Sequence, residues 1–356
     1  MNWSKDIPIL KGYDAVVCGG GPAGIAAALA AQRAGLEVLV VEAQAQLGGT
    51  GTSGIVSHWL GGRANDCRRW VVGGIFRELA EEAVGEGIAL LPVPEPGRKY
   101  QPHGWFQGQL GAGIPFDPFL MAAYIEAQDE PRFKKLIKKL EASGEWPFPY
   151  NIVVSVQMTG KDVFMVNTCT IEGIAGTDGA SVTAGIVKAH AANLALLRVL
   201  RKHFPGFSKA RVKAVAPMLG VRETRRIVGE YKLTVADVVG NRQFPDTVGL
   251  SAYGWDMGGA MHVEKPPYTP IPYRIMVPHP ITNLVCPGRA VSVEWEALGP
   301  LRLMAPVMAM GQAAGQAAGQ AVRSGCGFKD VDVPALQAAL RQAGAILDAA
   351  DLQEQR

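Results

Sequence analysis

The first clear pattern is an unbroken apolar run. Tyr13 to Cys18, YDAVVC, is β-branched and lacks alternating polar positions, which predicts a strand buried on both faces of a parallel sheet. A glycine turn follows directly, and PAGIAAALAAQRAG then keeps small apolar residues at helical spacing until Gly35 ends it. LEVLVVE supplies a second apolar strand, completing a β-α-β unit. Farther along, RRWVVGGIFRELAEEAVGEGI, Arg68 to Ile88, predicts an amphipathic helix with boundary glycines, and PVPEPGRKYQPHGW a proline-rich surface loop. Lys134, Lys135, Lys138 and Lys139 sit at helical spacing as a solvated face, and NIVVSVQMTGKDVFMVNT reads as a hairpin. Gly311, Gly315 and Gly319 recur every four residues, so they share one helix face and admit another backbone at close range. Gln312, Gln316 and Gln320 follow the same period and would be costly in lipid, which argues against a membrane dimer motif. The terminal VPALQAALRQAGAILDAADLQEQR is an amphipathic helix that packs on its own domain or on a second subunit, so homo-oligomerisation stays open.

Composition narrows the class. The chain has 356 residues, 48% of them hydrophobic, enough for a sizeable core in one large domain or two joined ones. A net charge of +3 without a long basic run points away from nucleic acid. The cysteines, Cys18, Cys67, Cys169, Cys286 and Cys326, form no C-x-x-C pair, so no metal site is expected and a reducing cytoplasm fits best. The start lacks the apolar core of a secretory signal, and every long apolar stretch is interrupted by glycine or polar residues, so no membrane insertion is expected.

The turn CGGGPAG has the spacing of a dinucleotide site. Gly19 permits the tight turn, Gly21 lets the backbone approach a pyrophosphate, and Gly24 lets helix and strand pack closely. The helix N-terminus faces that anion with a partial positive charge. Glu42, ending the second strand, is placed to accept from ribose hydroxyls and would repel a 2′-phosphate, which disfavours NADP.

After Glu42 comes AQAQLGGTGTSGIVSHWLGG, whose many glycines leave backbone N–H groups free to line a ligand. Here the chain resembles the FAD-dependent oxidoreductases with a glutathione-reductase-like dinucleotide fold, through Glu42, Gly48 and Gly49. NLVCPGRAVSVEWEALGPLRLMAPVMAMGQAAGQAAG, Asn283 to Gly319, is similar to the flavin-closing segment of that family: a strand at Leu284 to Cys286, then Gly288 and Arg289, Glu296 to Gly299, and a helix from about Ala305. GVRETRRIVGEYKLTVADV, Gly220 to Val238, with GTDGASVTAGIVKAHAANLALLRVLRKHFPGF and YTPIPYRIMVP, resembles a poorly characterised branch of the family. The resemblance implies FAD, held by Gly19, Gly21, Pro22, Ala23, Gly24, Glu42, Ala43, Gly48, Gly49, Thr50, Gly288, Arg289, Leu298, Gly299, Met304 and Ala305. It implies an α/β fold, a Rossmann-like FAD-binding domain (1–125 and 275–356) with an inserted mixed α+β substrate domain (126–274). By the same resemblance, the helix after Gly299 points its N-terminus at the flavin's pyrimidine edge or ribityl chain.

The chain departs from that pattern between Phe116 and Asn151, which lacks the family's adenine-side strand and its Ala-Thr-Gly-Asp-like turn and reads instead as charged helix, as if two helices were fused. Candidate chemistry rests on His58 as acid or base, and on Arg222 and Arg225, with Glu223 and Arg226, as a carboxylate or carbonyl site or as an ion-pair network anchoring a helix. Arg274 and His262 are further candidates. Trp295 stands where the family often has a histidine, and WDMGGAMH where an Asp-x-His pattern is usual. The expected activity is hydride transfer between a small-molecule substrate and flavin; an NAD-dependent oxidoreductase and a flavin-free remnant are the alternatives.

Overall fold

The computed structural model describes residues 12–56, 59–64, 69–89, 133–151, 153, 155–157, 163–254 and 268–352. Its class is mixed α/β. The first strand, β1 (Ala15–Cys18), pairs in parallel with β2 (Val38–Val41), from Ala15 opposite Val38 to Cys18 opposite Val41. Helix α1 (Pro22–Arg33) joins them and buries Ala26, Ala27, Ala30 and Ala31. Proline starts it where an N–H is dispensable, and Gly35, at φ +93°, turns the chain into β2. The amphipathic helix is α2 (Gly74–Gly85), shorter than the Arg68–Ile88 pattern. Gly74 has φ +57°, which delays helical backbone, and Trp70, Val71 and Val72 ahead of it are buried as extended core residues. Arg68 lies outside the described residues.

Next come α3 (Lys134–Ala142), the antiparallel pair β3 (Ser155–Gln157) and β4 (Phe164–Val166), and α4 (Gly179–His203). The lysines of α3 are exposed while Ile137 and Leu140 are buried, and the hairpin lies where it was expected. A short helix α5 (Val235–Val239), closed by a reciprocal Thr234–Asp237 capping box, precedes the antiparallel pair β5 (Thr247–Ser251) and β6 (Thr269–Pro272). The chain ends in α6 (Met304–Ser324) and α7 (Val333–Gln342). Gly344, at φ +77°, stops α7, whose Leu336 and Leu340 pack into the chain's own core.

Three hydrophobic clusters form, and the 126–274 span contributes to each of them. Phe133, Ile137, Trp146, Leu196, Leu200 and Phe204 form a core confined to 133–210. Leu233, Ile271 and Tyr273 instead join Leu298, Met310 and Leu340 in the main core. The 126–274 span thus contains both a separately packed part and a part seated among the C-terminal helices. Within the described residues α4 alone is long and apolar enough to cross a bilayer by length and composition, with 11% of its most apolar window buried. Lys188, His190 and Asn193 interrupt it, and its C-terminal third packs on α3 through Leu196, Val199 and Leu200.

Helices α1 and α6 make the tightest contact. A Cβ on Gly311 would fall on the carbonyl oxygen of Ala23, one on Gly315 on that of Ala27, and one on Gly319 would meet Ala34. The glycine period therefore marks a backbone-to-backbone seam, and its partner is α1. The glutamines serve other faces of α6. Gln312 is 2% exposed; its Oε1 accepts from Ile75 N–H at 2.9 Å and its Nε2 donates to the Ala343 carbonyl at 3.2 Å, joining α2, α6 and the end of α7.

Gly315→Ala should destabilise the fold by about 1–3 kcal/mol, because the added methyl forces two backbones apart. Gly85→Ala, whose Cβ would meet nothing within 4 Å, should be neutral or stabilising by up to about 1 kcal/mol. Urea unfolding of the two variants checks both signs.

Candidate functional site

The glycine turn is built as its spacing requires. Gly19 has φ +107°, closed to most side chains, and its N–H donates to Val41 O at 2.7 Å. A Cβ on Gly24 would overlap the Gly19 carbonyl oxygen, so only glycine lets α1 rise this close to β1. Gly21 has no heavy atom within 4 Å of an added Cβ, which leaves its outer face open. No side chain caps α1, so the N–H groups of its first turn remain available to a ligand.

The loop after β2 folds back onto the turn. Gly48 N–H donates to Gly20 O at 2.8 Å, and a Cβ on Gly49 would sit 3.2 Å from Gly21 Cα. Glu42 accepts from Gly20 N–H at 2.6 Å and Gln44 N–H at 2.8 Å, and these donors, Gln44 first, lower its pKa below the ordinary carboxylate value. The carboxylate is thereby held charged, with lone pairs left for a ribose.

A cleft of about 2450 Å³ opens beside this turn. Gly19, Gly21, Pro22, Ala23, Gly24 and Glu42 line it, as do Gly49 and Thr50 from the loop and Gly288, Arg289 and Met304 from the C-terminal half. Ala43, Gly48 and Gly299 are not among its lining residues, and Leu298 and Ala305 are fully buried in the core behind it. Leu284–Cys286 also lines the cleft, but it is not the strand expected there: the Cys286 N–H donates to Met276 O at 2.8 Å, and no ladder forms before Pro287. Among the described residues β1 pairs with β2 alone, and its other edge faces the cleft with Val16 56% exposed.

The catalytic candidates divide. Arg222 lines the cleft, whereas Arg225 is exposed and not among the lining residues. Residues 221–227 are not helical, so the ion pair of Glu223 with Arg226 ties down an extended segment rather than a helix. Glu223 also accepts from Trp295 Nε1–H, giving the residue in the family's histidine position a structural hydrogen bond. Arg274 lies away from the cleft, paired with Asp246 at 2.9 Å and stacked 5.1 Å from the Tyr231 ring. His58 and His262, and the WDMGGAMH motif from Trp255 onward, lie outside the described residues. Sequence reasoning missed Arg302, which lines the cleft just before α6 and lies within the Asn283–Gly319 segment.

A family model described as FAD dependent oxidoreductase matches residues 14–132 and 121–340. The chain belongs to the FAD dependent oxidoreductase family. Its cofactor is FAD, and its general chemistry is oxidoreduction. The two matched segments meet at 121–132, within the stretch where the adenine-side strand was missing from the sequence; those residues lie outside the described ones. No curated protein and no solved structure matches the chain. For this oxidoreductase the residues present fit the phosphate end of FAD, since the turn is open above Gly21, α1 is uncapped, and Gly49 adds backbone at the same place. The cleft is larger than the roughly 300–1,000 Å³ of ordinary ligand pockets.

Gly21→Val separates fold from cofactor. The side chain enters open space at φ −71°, so the melting temperature should change little, while flavin retention should fall about tenfold or more. Absorbance at 450 nm against protein concentration, beside a thermal melt, checks both.

Proposed function

We propose that this oxidoreductase passes hydride between a small organic substrate and N5 of FAD, with a glutathione-reductase-like flavin site made from both ends of the chain (1–125 and 275–356) and 126–274 as the inserted substrate unit. One observation carries the reading: segments far apart in sequence, the turn at Gly19–Gly24, the loop at Gly49–Thr50 and the C-terminal Gly288–Met304 region, line a single cleft. An NAD-only site would need the first β-α-β unit alone and would leave the C-terminal contribution unexplained.

FAD, when bound, supplies the two-electron chemistry. The chain's part is binding and orientation. The first-turn N–H groups of α1 and the backbone of Gly49 hold the pyrophosphate, and Glu42 accepts from the adenosine ribose. The first turn of α6 has no side-chain cap, and its partial positive charge would favour an electron-rich flavin held there. Arg222 supplies paired donors at the cleft wall for a substrate oxygen, and His58 is the proton carrier we assign from the sequence.

Purified protein given FAD and then freed of excess should keep a stoichiometric flavin spectrum that bleaches anaerobically when a substrate is found. Flavin-free protein that oxidises NADH with no added flavin would overturn this reading in favour of the NAD alternative.

A further inference from the structure

We propose that the outer face of α4 is a peripheral membrane-binding surface that takes bilayers rich in anionic lipid. The inference does not depend on the flavin site. Helix α4 is held to the rest of the chain along one side: a Cβ on Gly185 would meet Ile174 and Leu219, Ala189 lines the cleft, and Leu196 and Leu200 share a core with Ile137 and Leu140 of α3. The opposite side is uncovered among the described residues. Ala184, Val187, Ala191 and Leu194 recur at steps of three and four, so they form one stripe, and all four are exposed, Val187 by 65% and Leu194 by 52%.

Charge selects the occupant. Residues 179–222 carry eight Lys and Arg and no Asp or Glu, in a chain whose net charge is +3. Within α4, Lys188 flanks the stripe, and Arg198 and Arg201 continue it toward the helix C-terminus, all three exposed. Arg201 donates to Ser208 O at 3.4 Å, which folds the following segment, with its exposed Lys209 and Arg211, back to that end. The one acid at this end, Glu145, is engaged by Lys202 and His203. An apolar stripe framed by cations, on a helix without acids, suits a lipid interface: the stripe enters the boundary between headgroups and acyl chains while the cations meet anionic headgroups. A second copy of α4 would bring cations toward cations with no acid on either helix to pair them, and nucleic acid would leave Val187 and Leu194 uncovered. Crossing the bilayer would strip Leu196, Val199 and Leu200 from α3, whereas lying on its surface leaves that core intact.

Vesicle flotation of the whole chain, given FAD, tests this. Binding should be weak to phosphatidylcholine vesicles, strong once phosphatidylglycerol is mixed in, and reduced by added salt. Leu194→Gln removes apolar surface without changing charge and should weaken partitioning about tenfold, with flavin content and melting temperature near wild type. Arg198→Gln should weaken it severalfold. No preference for phosphatidylglycerol, or a preference that Leu194→Gln leaves unchanged, would overturn the proposal. So would concentration-dependent dimers that Leu194→Gln dissociates in a protein that ignores vesicles, which would assign the stripe to a second copy. Duplex DNA binding that Arg198→Gln weakens, in a protein that ignores vesicles, would overturn it in favour of nucleic acid. If Leu194→Gln fails to fold, Val187→Gln supplies the same comparison. Should the protein retain no flavin, the flavoenzyme reading fails, and the same order of vesicle binding in flavin-free protein would leave the membrane surface standing.

Discussion

Where α6 lies against α1, backbone meets backbone: side chains are absent at Gly311, Gly315 and Gly319 because the carbonyls of Ala23 and Ala27 and the Cβ of Ala34 occupy that space. This close approach couples the chain ends. It fixes the first turn of α1 relative to α6, and Pro22, Ala23 and Gly24 from α1 and Met304 from α6 line the same cleft. Gln312 extends the arrangement by clamping the start of α2 and the end of α7 to α6 with two buried hydrogen bonds. On the proposed flavin site the packing constraint is also a binding constraint, since a cofactor that spans both helix ends needs them at one spacing.

The local units were the most legible in the sequence. YDAVVC, the glycine turn, the alanine-rich helix and LEVLVVE each have a strong pattern, and the four-residue glycine period announced a close helix contact. The partner of that contact was not legible, because period gives a face and no address. Leu284–Cys286 reads as a strand, yet its N–H and C=O groups find no ladder; strand status depends on a neighbour, which local composition cannot supply. Arg274 looked like a substrate group until Asp246 and Tyr231 were found around it, some thirty to forty residues away in sequence. Arg302 lies within the Asn283–Gly319 segment, whose resemblance gives it no role, and became visible through the cleft it lines.

The pairing of β1 gives the cleft its character. Parallel strands are normally covered on both faces, but among the described residues β1 pairs with β2 alone, and its Ala15, Val16 and Val17 line the cavity. The glycine turn, in contrast, is held by the Gly48 N–H on Gly20 O and by Glu42 on the Gly20 N–H. On the proposed reading, affinity for FAD depends on the glycine turn and the two helix ends.

The most direct test of that dependence is the flavin-to-protein ratio of Gly311→Val after reconstitution and desalting, read with far-UV circular dichroism. The account predicts retained helicity with flavin content reduced severalfold, because the valine displaces α6 from Ala23 at the turn itself. A folded Gly311→Val protein with full flavin would contradict the claim that the helix seam positions the cofactor.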